Sequence, residues 1–163
     1  MNIIGIDPSL RNTGLALLSE NEVRLFQIST SKEDHDFLAG KQVSDWLSNM
    51  LEQLWSPGTE IVFEMPAGSQ SQRASRAGGV IIGVLSSVLG LYHNTYLGAS
   101  AIKKFVGSPE VKGSQRKALN VAKAYELYPN ANWDVDSKGY PKRKEEHKAD
   151  ALLLAHIWRT KYV

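Results

Sequence analysis

Apolar positions fall into short unbroken runs near the N-terminus and into helically spaced stripes further along the chain. Residues 2–7, 13–19 and 22–29 read as three successive strands, joined by the turn-forming stretches Asn12-Thr13-Gly14 and Ser19-Glu20-Asn21-Glu22. Connections this short predict an antiparallel meander. Ser31-Lys32-Glu33-Asp34 introduces a helix over 33–54, whose inner stripe includes Phe37, Leu38, Val43, Trp46, Leu47, Met50, Leu51 and Leu54. Ser56-Pro57-Gly58 ends it, and 60–64 is a fourth strand. A second helix over 70–90 begins polar and turns apolar, with Gly78, Gly79 and Gly83 suited to close packing. A fifth strand over 92–97, a short helix over 99–105 and a helix over 114–127 capped by Ser114 follow. Residues 129–143, rich in Pro, Asn, Asp, Gly and Lys, predict a mobile loop, and 144–161 a final helix.

This order describes one α/β domain over residues 1–163, with no repeat and no linker long enough to divide it. A right-handed crossover sets the fourth strand parallel to the first, on its free side. Asp7 and Glu64 are then neighbours at one edge of the sheet. No apolar run approaches the roughly 20 residues of a membrane span, and the N-terminus lacks a basic segment followed by an apolar signal core. The expected location is the cytoplasm, with no membrane partner.

Charge changes the picture once it is divided. Residues 1–70 hold 4 Lys/Arg against 10 Asp/Glu, a balance of −6, and residues 71–163 hold 15 against 7, a balance of +8. An acidic centre facing a basic surface suits a polyanionic substrate, although scattered surface charge gives the same count. The chain has no cysteine, so any metal is held by oxygen or imidazole, as magnesium and manganese are.

Four residues are the candidates for that chemistry. Asp7 ends the run Ile3-Ile4-Gly5-Ile6, Glu64 ends Ile61-Val62-Phe63, and His147 and Asp150 share one face of the last helix. An unpaired carboxylate at the end of a buried strand is costly unless a cation neutralises it. Each residue has a plainer role by itself. Asp7 in Asp7-Pro8-Ser9 forms a turn, Glu64 marks a strand end, His147 sits on the surface, and Asp150 answers the helix dipole. Taken together they suit two divalent ions about 3.5–4 Å apart, which activate water and stabilise the leaving oxygen of a phosphodiester. His147 is then a ligand or a water-orienting base.

At Gly5-Ile6-Asp7-Pro8-Ser9, Thr13-Gly14, Phe63-Glu64 and His147-Lys148-Ala149-Asp150-Ala151-Leu152 the chain resembles the RuvC family of Holliday-junction resolvases, of the RNase H-like nuclease superfamily. The likeness extends through Ala77-Gly78-Gly79-Val80 and Ile102-Lys103-Lys104-Phe105-Val106-Gly107. It implies an RNase H-like α/β fold, a five-stranded mixed sheet (three antiparallel strands, then two parallel) with helices on both faces. Asp7, Glu64, His147 and Asp150 become catalytic metal ligands for two Mg2+ ions per site, with Mn2+ able to substitute and no small-molecule cofactor. The implied activity is cleavage of branched DNA, especially four-way junctions, by a homodimer, leaving 5′-phosphate and 3′-hydroxyl ends. The main dimer element corresponds to 75–91, whose apolar face suits core packing equally well. Arg73, Arg76, Lys103, Lys104, Lys112, Arg116 and Lys117 become DNA contacts, with Lys142-Arg143-Lys144 a further basic run.

Two departures from the family qualify this. Ala67 stands where well-studied members carry an aromatic residue, three positions after the second carboxylate, which implies weaker sequence preference and activity on forks or flaps. The stretch 131–143 is longer than the family's connection and suits a DNA-contact loop, a lid or a plain insertion. Other functions on this fold core are nucleases of replication forks or RNA–DNA hybrids, a non-catalytic branched-DNA binder, and an actin-like ATPase. The ATPase needs a second domain and more phosphate-binding glycines than are present.

Overall fold

The computed structural model describes residues 1–66, 71–98, 100–107, 111 and 113–163. Ala67, at the first family departure, and Lys112 lie outside the described residues. Five strands form one sheet in the order β3-β2-β1-β4-β5: β1 (Ile3–Asp7), β2 (Asn12–Leu18), β3 (Val23–Ser29), β4 (Glu60–Glu64) and β5 (Asn94–Leu97). The first three are antiparallel and β4 and β5 are parallel to β1. The helices are α1 (Asp36–Leu54), α2 (Gln72–Leu89), α3 (Ala101–Val106), α4 (Gly113–Leu127) and α5 (Glu146–Tyr162), the last preceded by a 3-10 turn over Arg143–Glu145. The expected meander, crossover and mixed sheet are all present.

Strand alternation sorts the core into two layers. Ile4, Ile6, Leu15, Leu17, Ile61 and Phe63 pack under α1 and α2. Ile3, Ala16, Leu18 and Val62 point to the opposite face, where α5 covers β1 and β2 with α3 and α4 beside it. Burial on both faces explains why β1 and β4 read as unbroken apolar runs. It also fixes where the strand-end carboxylates go. Asp7 and Glu64 keep the parity of Ile3 and Val62, so both lie on the α5 face.

Two glycines let α5 come down onto the sheet. A Cβ on Gly5 would stand 1.9 Å from the Ala151 carbonyl oxygen, and one on Gly14 would stand 2.0 Å from the His147 carbonyl oxygen. Gly14 pairs with Asp7 across the β1–β2 ladder. The turn between those strands is closed by Thr13, whose hydroxyl donates to the Ser9 carbonyl at 2.6 Å and accepts the Ser9 amide at 3.1 Å.

Several expectations are corrected. Ser114 is no cap, because α4 already begins at Gly113. Helix α1 starts at Asp36 rather than 33, and its cap is His35, whose Nδ1 accepts the Leu38 amide. The imidazole does there what a serine or aspartate ordinarily does. The stretch expected to be a mobile loop is braced throughout. The Asn132 side chain pairs with both backbone groups of Leu25, at 2.7 and 2.9 Å. Trp133 donates its indole N–H to the Tyr128 carbonyl, Val135 bridges to Pro141, and Asp134 holds both Lys142 and Lys144.

Candidate active site

The C-terminal ends of the interior strands β1 and β4 and the first turn of α5 meet at one end of the sheet. The parallel register pairs Ile6 with Phe63, which makes Asp7 and Glu64 the next neighbours across the two strands. From above, His147 Nδ1 lies 2.7 Å from Asp7 Oδ2, with the ring N–H donating to the carboxylate. His147 Nε2 lies 3.4 Å from Glu146 Oε1. Asp150, one turn along α5, accepts a hydrogen bond from the Asn120 amide of α4 at 2.8 Å. Asp7 therefore does not cap the Asp-Pro-Ser turn with its side chain; it points into the cluster.

Two of these carboxyls feel burial and their acidic neighbours. Burial, then the charges of Asp7 and Asp150, push the Glu64 carboxyl up to about 7, against the opposing pull of the Arg116 guanidinium. Asp150 is pushed up to about 7 chiefly by burial and by Asp7, while the Asn120 hydrogen bond and His147 work in the opposite direction. Burial by itself lowers the His147 pKa, but the Asp7 hydrogen bond and the Asp7 and Glu146 charges outweigh it, and the imidazole is held above its ordinary value. This is a site with more negative charge than its surroundings compensate.

The donor set fits a hard divalent cation in kind: three carboxylates and one imidazole, with no thiolate. A buried acceptor adds to the fit. Asn120 is 5% exposed, and its Oδ1 has no hydrogen-bond partner among the described residues although the same amide holds Asp150. Among the described residues no three acidic or imidazole groups close around a single point as a metal shell does. Asp7 and His147 are instead hydrogen-bonded to each other, and the Glu64 carboxylate accepts no hydrogen bond from a described side chain.

The expected DNA-contact residues divide by place. Arg116 is near enough to act on Glu64. Lys117 pairs with Glu146 at 2.7 Å and its charge reaches His147, so the start of α4 adjoins the acidic cluster. Arg76 is exposed at the start of α2 but donates to Asp36 at 2.6 Å, and Arg11 joins the same carboxylate. Arg73 is exposed one turn earlier on α2, Lys104 is exposed on α3, and Lys103 is half-buried there. Asn120 and Glu146 were not among the sequence candidates. A buried asparagine in the middle of an otherwise apolar helix face was the available signal for Asn120. Glu146 stands directly before His147 and carried no separate signal.

No protein-family model and no curated protein sequence matches the chain. Among solved structures it is similar to Thermus thermophilus RuvC in complex with a Holliday junction substrate, with a TM-score of 0.70 and 14% identity over 99% of this chain and 96% of that one. A second Thermus thermophilus RuvC structure gives a TM-score of 0.68 and 15% identity over the same shares. Over nearly its whole length the chain thus has the RNase H-like fold of RuvC.

Proposed function

We propose that this protein is a divalent-metal-dependent endonuclease that cuts branched DNA, four-way junctions foremost. The observation that supports the reading is the electrostatic coupling of Glu64 to Asp7 and Asp150, carried on three separate elements, together with the raised carboxyls of Glu64 and Asp150. Arg116 and Lys117 on the bordering helix give a phosphate something to approach. The shared fold with a protein solved on a Holliday junction supports the substrate class.

Asp7, Glu64 and Asp150 hold the ions, two per site, with magnesium the natural choice and manganese a substitute. Bound divalent cations supply charge stabilisation at the attacking and leaving oxygens of the phosphodiester. His147 is oriented through Nδ1 by Asp7, which leaves Nε2 to take a proton from the attacking water. Water adds to phosphorus, the 3′ oxygen leaves with a proton, and the ends are a 5′-phosphate and a 3′-hydroxyl. Arg116 holds the substrate phosphate against the acidic cluster. Two such sites acting together need two copies of the chain, because a four-way junction has near two-fold symmetry. The outer face of α2, where Gly78, Gly79 and Gly83 have open space around them and Ile82 is exposed, is the proposed pairing surface.

A labelled immobile junction, a matched fork and a linear duplex, each with magnesium or with chelator, test the reading. Magnesium-dependent paired nicks in the junction but not the duplex are expected, and the fork lane measures breadth. Asp7→Asn should abolish cutting while keeping or improving junction binding. Tight junction binding without cutting in magnesium or manganese would replace the nuclease with a non-catalytic junction binder.

A further inference from the structure

A cleft of about 620 Å³ lies between α4 and the braced 131–143 segment. Its walls include Ala118, Val121, Tyr125, Tyr140 and Pro141, a mainly apolar lining with two aromatic rings. The segment that carries Tyr140 is tightly built. Asp136 Oδ1 accepts the amides of Lys138 and Tyr140, the Asp136 amide donates to the Tyr140 carbonyl, and Gly139 takes a left-handed φ of 82°. Tyr125 donates its hydroxyl to the Gly139 carbonyl at 3.2 Å, tying helix to turn. Tyr140 is nevertheless 63% exposed. A large aromatic ring held outward on a rigid turn is positioned to meet a ligand.

The charges around the mouth narrow the ligand. Glu126 is paired with Lys123 and Glu146 with Lys117. Arg143 has no ion-pair partner among the described residues, so it is the uncompensated charge at the cleft. Glu146 is both a lining residue and the neighbour of His147 Nε2. The cleft and the candidate active site therefore share a wall.

We propose that this cleft takes an unstacked nucleobase from the strand whose phosphate lies at the acidic cluster, with Tyr140 stacking on the base and Arg143 on its flanking phosphate. The inference rests on the nuclease reading, since that reading brings a phosphodiester to Glu146 and His147. The apolar, aromatic walls suit a base face, and the cationic mouth suits the backbone that must accompany it. Branch points supply such bases, because nucleotides there lose a stacking neighbour. The 131–143 segment is then a base-holding element rather than a tolerated insertion.

The test uses the full chain and an immobile four-way junction with 5-iodouracil placed in turn at each nucleotide flanking the branch. Irradiation should cross-link one of these positions to Tyr140 or Tyr125, mapped by mass spectrometry, and the same label within a duplex arm should give no such product. Tyr140→Ala should weaken junction binding and cutting about tenfold or more, while Tyr140→Phe and Tyr140→Trp retain them. Ala118→Trp, at an exposed position on α4, should plug the cleft and cause a similar loss without altering the melting temperature. Cutting at the full rate by Tyr140→Ala and Ala118→Trp, with no cross-link, overturns the base-binding inference and leaves the nuclease standing. Absence of junction binding and cutting by the unaltered protein overturns both.

Discussion

Replacing Glu64 with glutamine should make the metal-free protein more stable while destroying its activity. The carboxyl is pushed up to about 7 in the folded chain from an ordinary 4.5, with burial the first cause and the Asp7 and Asp150 charges the next. A raised acid binds more protons folded than unfolded, so its full stability exists below the unfolded value and is lost as pH rises from 4.5 through 7. At about 1.36 kcal/mol per pH unit the loss above pH 7 comes to somewhat more than about 3 kcal/mol. Because Glu64 is only half-buried, screening reduces this to about 2 kcal/mol. Glutamine keeps the size and removes the charge. Urea unfolding in chelator at pH 8 should show Glu64→Gln more stable by about 2 kcal/mol, or about 4–8 °C in Tm for a chain of this length. At pH 4.5 the advantage should nearly vanish. Magnesium should stabilise the unaltered protein and leave the variant nearly unmoved. A variant less stable than its parent at pH 8 in chelator, or an advantage unchanged by pH, would refute the claim that the site holds uncompensated charge.

Three further outcomes follow from other contacts. Asn120→Ala removes the hydrogen bond that favours ionised Asp150, so calorimetric titration with manganese should show affinity weakened about 10- to 100-fold with the fold retained by circular dichroism. Gly14→Ala drives a Cβ into the His147 carbonyl and should cost more than about 3 kcal/mol in urea unfolding. His156 has its pKa lowered, first by burial and then by Arg159 and Lys123, and accepts the Tyr128 hydroxyl at 2.7 Å. A depressed histidine costs nothing while both states are neutral, so stability should fall as pH drops through 6.5; His156→Gln should flatten that slope, and an NMR titration placing His156 above 6.5 would contradict it.

The sheet order and the pairing of Asp7 with Glu64 were legible because they follow from local rules: apolar runs, short turns and crossover handedness. His147 and Asp150 were legible for the same reason, since helical spacing alone puts them on one face. What escaped the sequence depends on contacts between distant segments. Asn132 braces the long loop through Leu25, 107 residues away in the chain. No local composition distinguishes that from a solvated asparagine, and so a braced segment read as a mobile one. Arg76, a candidate DNA contact, also donates to Asp36, 40 residues earlier. The charge was readable, but its partner was not. Asn120 matters only because α4 lies beside α5, an adjacency that the strand-order rules do not reach.

The close seat of α5 on Gly5 and Gly14 has a consequence for how the protein tolerates change. At these two points the seat that aims His147 and Asp150 is backbone resting on backbone, which side-chain repacking cannot adjust. In a mutational library sorted for cellular abundance, the four proposed catalytic positions should accept isosteric neutral replacements, while the two positions without side chains should accept almost none. Sorting the same library for DNA cutting should make both groups intolerant. Subtracting one map from the other would separate the residues that carry the reaction from those that hold them in place.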